Sequence, residues 1–459
     1  MDKMNQRVLL IGAARQGTAL ARYFIRRGAS VTVTDLRSEN ELLEYIKTLK
    51  DKPIKWVLGE HPMNLLDNVD LVCVSGGVPL DAPIVVEARK RGIPLSNDSQ
   101  IFLEVAPCKV IGITGSAGKT TTTKLVGRMA EFAAKETNLY RKAWIGGNVG
   151  NPLIDVVDEM HEEDIAVMEL SSFQLEVMTI SPNIAAVLNI TPNHLDRHKT
   201  MDSYISAKSR IVEYQNNCDV AVLNRDDPQS WAFRKNVRGY LASFGMDENN
   251  DEYLDSYTDG DKVFIREGRR VLEICSRNEI KLRGEHNLMN VLAACSIAFS
   301  AGIPFDDIRK GILDFEGVEH RLEFVRSWGG AEWFNDSIAT APERAMAAIR
   351  SFNEPIILLA GGMDKDLPWD DFAKLVSRRV DHLILFGEAE EIIANAMNPY
   401  LGTTQIIRCK KLHDAINAAS EIVKPGDVVL LSPGGTSFDE FRDFAERGQF
   451  FRKWVNELP

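Results

Sequence analysis

The stretch VIGITGSAGKTTTTKL at positions 110–125 constrains this chain more than any other. Residues 110–114, VIGIT, are mostly β-branched and carry no charge, and they read as a buried strand. Gly115 and Gly118 then make a turn, and a helix begins near Lys119. A strand feeding a glycine turn and a helix belongs to an α/β fold. The turn reads as a phosphate cradle, because backbone N–H groups and the helix N-terminus face the anion. Lys119 would neutralise the β- and γ-phosphates of a nucleotide, and the Thr120 hydroxyl could ligate Mg²⁺. The spacing departs from G-x-x-x-x-G-K-[ST], since Ile113 stands where the first glycine would be. This is therefore not the loop of a standard P-loop kinase or GTPase. A plain glycine turn carrying a surface lysine is the competing reading.

A length of 459 residues suggests about three domains. A net charge of −12 gives no support to nucleic-acid binding, while leaving room for a local basic pocket around a small anion. The six cysteines are scattered without a CxxC pair, which points to free thiols in a reducing cytoplasm rather than a zinc ribbon. No apolar run has the length of a membrane span, and 291–303 reads as a buried helix. The N-terminus runs directly into a strand and lacks the pattern of a signal peptide.

Three glycine-punctuated α/β blocks follow one another. The first has strands at 8–11, 31–34 and 71–74 and a helix at 19–27. The second starts near Glu104 and has strands at 110–114, 165–168 and 185–190. From 239 to 282 it turns short, polar and β-like, with a soft acidic loop at 247–261. The third starts near Val318 and has strands at 355–360, 382–386 and 427–431. In open parallel sheets ligands sit at the carboxyl ends of strands. Glu169 ends one strand and His194 follows another, so both can face the phosphate loop as metal ligands. Taken singly, each is a solvated or loop-capping residue. Lys208 falls on a helix and alone reads as an exposed lysine.

The first block opens with GAARQG, with Ala14 in place of a middle glycine and Asp35 about where a ribose-binding acid would stand. That pattern keeps an NAD-dependent oxidoreductase open, weakened by the missing glycine. Ser75-Gly76-Gly77 is a ligand loop or a bare glycine turn.

The motifs GSAGKTTTT, GGNVGNP, MELSSFQLE, ITPNHLDRH, AKSRI, HNLMNVLAA, HRLEF, NDSIAT and LSPGGTSFDEF are distributed over all three blocks. Together they resemble the Mur ligase family of ATP-dependent amide-forming enzymes, and specifically its D-glutamate-adding branch. The resemblance implies a UDP-sugar-binding Rossmann-like domain at 1–103, a central P-loop-type ATPase domain with a small β portion at 104–317, and a Rossmann-like amino-acid-binding domain at 318–459. It implies that ATP phosphorylates the carboxylate of UDP-N-acetylmuramoyl-L-alanine and that D-glutamate then attacks the acyl phosphate, in a cytoplasmic, monomeric enzyme of peptidoglycan precursor synthesis.

By the same resemblance, Gly115, Ser116, Ala117, Gly118, Lys119, Thr120 and Thr121 hold ATP, with Asn290, Arg321 and Asp336 as further nucleotide contacts. Arg321 lies near the hinge into the third block. Thr120 and Glu169 serve one Mg²⁺; His194 and Lys208 serve a second. Because an ammonium cannot ligate Mg²⁺, Lys208 is expected as a carbamate. Asn148 lies near the acyl phosphate, and Lys119, His194, Lys208 and Asn148 form the catalytic set. Ala14, Arg15, Gln16, Asp35, Arg37, Ser75 and Gly77 take the UDP-sugar. Thr340, Lys365, Ser437, Phe438 and Phe444 read the amino acid. The family commonly has DSKATN where this chain has DSIATA, so Ile338 replaces a lysine beside the amino-acid pocket and puts the choice of amino acid in question. A folylpolyglutamate-type ligase, the oxidoreductase and a non-catalytic nucleotide-binding regulator are the alternatives.

Overall fold

The computed structural model describes residues 6–148, 150–248, 254–400, 402 and 404–459. Among the described residues, twenty strands form three sheets. The first contains β1 (Arg7–Ile11), β2 (Ser30–Asp35), β3 (Ile54–Leu58), β4 (Leu71–Val74) and β5 (Leu95–Ser96), all parallel in the order β3-β2-β1-β4-β5.

The second contains β6 (Lys109–Thr114), β7 (Ala143–Gly147), β8 (Ile165–Glu169), β9 (Ile184–Val187), β10 (Val220–Asn224), β11 (Tyr240–Phe244), β12 (Leu254–Asp259), β13 (Lys262–Glu267) and β14 (Arg270–Ser276). Their order is β14-β13-β12-β11-β10-β9-β6-β8-β7, with antiparallel pairing only at the β12-β13-β14 edge.

The third contains β15 (Glu323–Trp328), β16 (Ala331–Asn335), β17 (Ile356–Gly361), β18 (His382–Phe386), β19 (Gln405–Arg408) and β20 (Val428–Gly434), in the order β15-β16-β20-β17-β18-β19. Here β15 and β16 form an antiparallel hairpin and the rest pair in parallel.

The central strands read as unbroken apolar runs because helices cover both of their faces. Every residue of β17 and β20 is buried. One apolar cluster runs from Val8, Phe24 and Phe102 through Ala166 and Val187 to Ile211 and Phe233, so the first two sheets share a core. The third sheet has a separate cluster on each face, around Phe372 and around Phe451. Accordingly the chain divides into two compact units: Met1–Ile280 with Met289–Asp314, and Lys281–Leu288 with Phe315–Pro459. The helix Glu285–Ser300 passes from one to the other.

Several local expectations need correction. The strand expected at 185–190 ends at Val187. Past it, Leu188 N–H still donates to Thr114 O, and Asn189 O accepts from Ser116 N–H, so the chain leaves the ladder to brace the phosphate loop. The acidic segment 247–261 is not all loop. Positions 249–253 lie outside the described residues, and Leu254–Asp259 is β12, held by β11 and β13. The first helix starts four residues earlier than expected, at Arg15. No helix among the described residues is long and apolar enough to cross a membrane. All six cysteines are free.

Candidate active site

In the second sheet β6 lies between β8 and β9, and the register sets Ile113 beside Glu169. The loop leaving β6 therefore reaches the end of β8. Gly118 caps the helix Lys119–Lys135 at φ +83°, and a Cβ there would come within 2.2 Å of Asn290 Oδ1. Only glycine fits that left-handed position and close approach. Thr120 Oγ1 donates to Glu169 Oε2 at 2.8 Å, and Asn148 Nδ2 donates to Glu169 Oε1 at 2.9 Å. Glu169 is only 2% exposed. Lys119 Nζ donates to the carbonyls of Gly115 (2.8 Å) and Ser116 (3.2 Å). Asn189 closes the loop from the other side, accepting from Ala117 N–H at 2.8 Å and donating to Ala117 O at 3.1 Å. Thr121 is buried in the first turn of the helix.

Lys208 is not an exposed lysine. It sits on the helix Met201–Glu213, is 1% exposed, and donates to Gly115 O (2.9 Å) and Thr114 Oγ1 (3.3 Å). Burial, and then the positive charge of Lys119, push its ammonium well below the usual lysine range against the pull of Glu169. His194 lies seven residues beyond β9, exposed, at φ +54°. Its ring packs edge-on against Phe173 at 5.1 Å. Among the described residues no three His, Cys, Asp or Glu side chains gather as a metal cluster. Thr120 and Glu169 do present adjoining hard oxygen donors of the kind Mg²⁺ takes.

A cavity of about 900 Å³ opens at the carboxyl ends of the first sheet. Ala14, Arg15, Gln16, Asp35, Arg37, Ser75 and Gly77 all line it, and so does Asn148. Burial alone would raise the Asp35 carboxyl, but hydrogen bonds from Arg37 and from the backbone N–H groups of Ala13 and Arg37 hold it at about 2. Asn148 joins the cavity to the loop: its carbonyl accepts from Arg15 at 2.7 Å while its amide reaches Glu169.

The second unit carries the remaining candidates. Asp336, Thr340 and the connecting residues follow β16, Lys365 follows β17, and Ser437 and Phe438 follow β20. Asp336 is buried and accepts from Ser432 Oγ at 2.9 Å. Burial drives its carboxyl up to about 7, against that bond and the charge of Arg321. Phe438 is 64% exposed, while Ser437 is buried. Phe444 begins the last helix, and its carbonyl accepts from Ser337 Oγ.

Several residues at these sites were not foreseen. Arg197 stacks on Phe173 at 4.5 Å and donates to the carbonyls of Gly76, Gly77 and Val78, tying the cavity rim to the segment that carries His194. Tyr204 bonds Ser116 Oγ at 2.9 Å. Arg197 lies inside the quoted ITPNHLDRH and Tyr204 three residues before AKSRI, which was the available signal. His61 lines the cavity after β3, a strand the sequence pattern did not reveal. Arg447 is fully buried and donates to Ser337, Gly435 and Thr436. A lone arginine in an amphipathic helix gave no sign of that role.

Comparison with known proteins matches residues 6–97 to the Mur ligase MurD-like N-terminal domain, 113–298 to the Mur ligase middle domain, and 320–435 to the Mur ligase glutamate ligase domain. The chain is 40% identical to a UDP-N-acetylmuramoylalanine--D-glutamate ligase of Symbiobacterium thermophilum, over 99% of each chain. It is 38% identical to the Clostridium tetani protein of the same description, over 99% of this chain and 97% of the other. Among solved structures, UDP-N-acetylmuramate-alanine ligase MurC from Thermotoga maritima shares the fold, with a TM-score of 0.61 at 19% identity over 99% and 100% of the two chains.

Proposed function

The chain belongs to the Mur ligase family, and from that premise we propose that it joins D-glutamate to UDP-N-acetylmuramoyl-L-alanine at the expense of ATP. The observation that carries the reading is Asn148. It bridges a cavity sized for an organic substrate to a phosphate loop whose Thr120 meets a buried acid. Nucleotide chemistry is thereby set beside a second ligand, which a ligase needs and a bare nucleotide-binding regulator does not. The family membership also removes the oxidoreductase reading of the first block.

The alanyl carboxylate oxygen attacks the γ-phosphorus of ATP, and the bond to the departing ADP breaks. The amine of D-glutamate then attacks the acyl phosphate carbon. The tetrahedral intermediate loses a proton from the amine nitrogen and expels phosphate to leave the amide. Residues 115–121 and Asn290 cradle the nucleotide, and Lys119 screens the charge that would repel an approaching carboxylate. Arg321 and Asp336 are assigned as further nucleotide contacts. Thr120 and Glu169 would hold Mg²⁺, which when bound neutralises phosphate charge. A second ion would be served by His194 and Lys208. Buried and poor at holding its proton, the Lys208 amine can add CO₂ and release a proton, which converts it to a carbamate oxygen ligand. The seven cavity residues take the UDP-sugar, and Thr340, Lys365, Ser437, Phe438 and Phe444 the amino acid. We read the protein as a cytoplasmic monomer with domains at 1–103, 104–317 and 318–459.

The test is phosphate release with ATP, Mg²⁺ and UDP-N-acetylmuramoyl-L-alanine across D-glutamate, L-glutamate and D-lysine, with product masses. Turnover with D-glutamate alone is expected. Folded protein that turns over none of them would overturn the reading.

A further inference from the structure

In the third sheet β16, β20 and β17 are neighbours. The helices after β16 and β17, Pro342–Ile349 and Asp370–Arg379, pack on one face through Ala345 and Phe372. The helix after β20, Phe444–Glu457, packs on the other through Phe451. Connections that leave adjacent strands on opposite faces open a crevice at the carboxyl end of β20. Its floor is tightly bonded. Gly434 N–H donates to Ala339 O at 2.8 Å, and Met363 and Thr436 exchange backbone bonds of 2.9 and 2.8 Å. Arg447 clamps Ser337, Gly435 and Thr436 from beneath.

Two exposed cations flank this floor. Lys365 is two residues beyond Met363, and Arg344 is in the first turn of the helix Pro342–Ile349. Gly434 sits between their elements: a Cβ there would come within 2.7 Å of the Trp369 ring and 3.7 Å of Pro342 Cα. The Trp369 indole in turn donates to Asp364, the neighbour of Lys365, at 2.9 Å. Neither Arg344 nor Lys365 has a side-chain hydrogen bond or ion pair among the described residues. Burial, and then the charges of Arg344 and Arg447, weaken the hold of Lys365 on its proton, so these cations feel one another. Asp336 acts on Arg344, and Asp439 and Asp336 on Arg447, but among the described residues no carboxylate is hydrogen-bonded or ion-paired to Arg344 or Lys365, so a ligand anion can pair with both. Ile338, on the same connection, has nothing to donate to a carboxylate.

We propose that Arg344 is a substrate-binding residue that pairs with one carboxylate of the incoming dicarboxylic amino acid while Lys365 pairs with the other. This rests on the ligase reading. It gives the chain a second cation on its own β16 connection, where Ile338 supplies none.

The experiment is steady-state kinetics on the full chain and its R344M and R344K forms, at saturating ATP and UDP-N-acetylmuramoyl-L-alanine, varying D-glutamate. R344M is expected to raise KM for D-glutamate by about 10–100-fold, as loss of a charged partner does at a partly solvated site. Its KM for ATP should stay within about twofold of wild type, which separates lost recognition from lost folding. R344K should recover part of the effect. An R344M enzyme with unaltered KM for D-glutamate overturns the assignment while leaving the ligase reading intact. A folded wild-type protein inactive with D-glutamate, L-glutamate and D-lysine alike sinks the ligase reading instead. D-glutamate binding followed by calorimetry on both forms then still decides the role of Arg344, and equal affinities count against it.

Discussion

Three side chains carry most of the chemistry that can be tested one at a time. Lys119→Ala removes the cation proposed to screen the transferring phosphoryl group, and kcat should fall by about 10²–10³-fold. Near-normal phosphate release would mean that the loop does not serve ATP. Lys208→Ala should be inactive and partly recovered by short free carboxylates entering the vacated space. In wild type, ¹³C-labelled bicarbonate should give a carbamate resonance that the variant lacks, and a spectrum without it would remove the carbamate from the mechanism. Asp336 binds its proton more tightly in the folded chain, at about 7, than at the ordinary 3.8. Its contribution to stability is therefore present in full below about pH 4 and is lost as pH rises through 7. Relative to Asp336→Asn, wild type should lose on the order of 4 kcal/mol across that window and level off above it. Thermal denaturation against pH reads this directly, and a gap independent of pH would show that the carboxyl ionises normally.

At the scale of elements, the phosphate loop is built by its neighbours as much as by its own glycines. The register of β6 against β8 delivers Glu169 to Thr120, and the early end of β9 frees Asn189 to close on Ala117. Gly118→Ala would force a side chain into left-handed backbone and against Asn290, costing about 1–2 kcal/mol from conformation alone and more from the clash. The variant should melt lower and bind nucleotide more weakly; an unchanged melting temperature would mean that this turn relaxes freely. Much of this element pattern was legible beforehand, since buried parallel strands such as β1, β6, β8 and β17 are unbroken apolar runs. The strands that escaped notice, β3, β5, β7, β15, β16 and β19, mix polar and apolar residues or lie at or near sheet edges, where one-sided burial blurs the signal; β10, a central and apolar strand, was missed as well.

For the whole molecule, separate cores in two compact units predict unfolding that is not a single two-state event. A ligand stabilises the unit that binds it, by about 2.7 kcal/mol at a hundred times its dissociation constant. Mg-ADP should therefore raise the calorimetric transition of the unit holding the phosphate loop by more than that of the other. Equal shifts in one sharp transition would indicate cooperative unfolding of the entire chain.

The sequence by itself determined the α/β class, the phosphate loop, the ligase family and most of the residues gathered at the two sites. Those are properties of local pattern and residue type, which spacing and composition carry directly. Only the tertiary structure decided the state and partners of those residues. Lys208 reads as an ordinary surface lysine until packing buries it beside Lys119, and Asp336 reads as an ordinary acid until Ser432 and the core enclose it. Arg447, Arg197 and Arg344 acquire their places from segments distant in the chain. Desolvation and the company of other charges are set by which segments pack together, and those pairings join strands far apart in the chain.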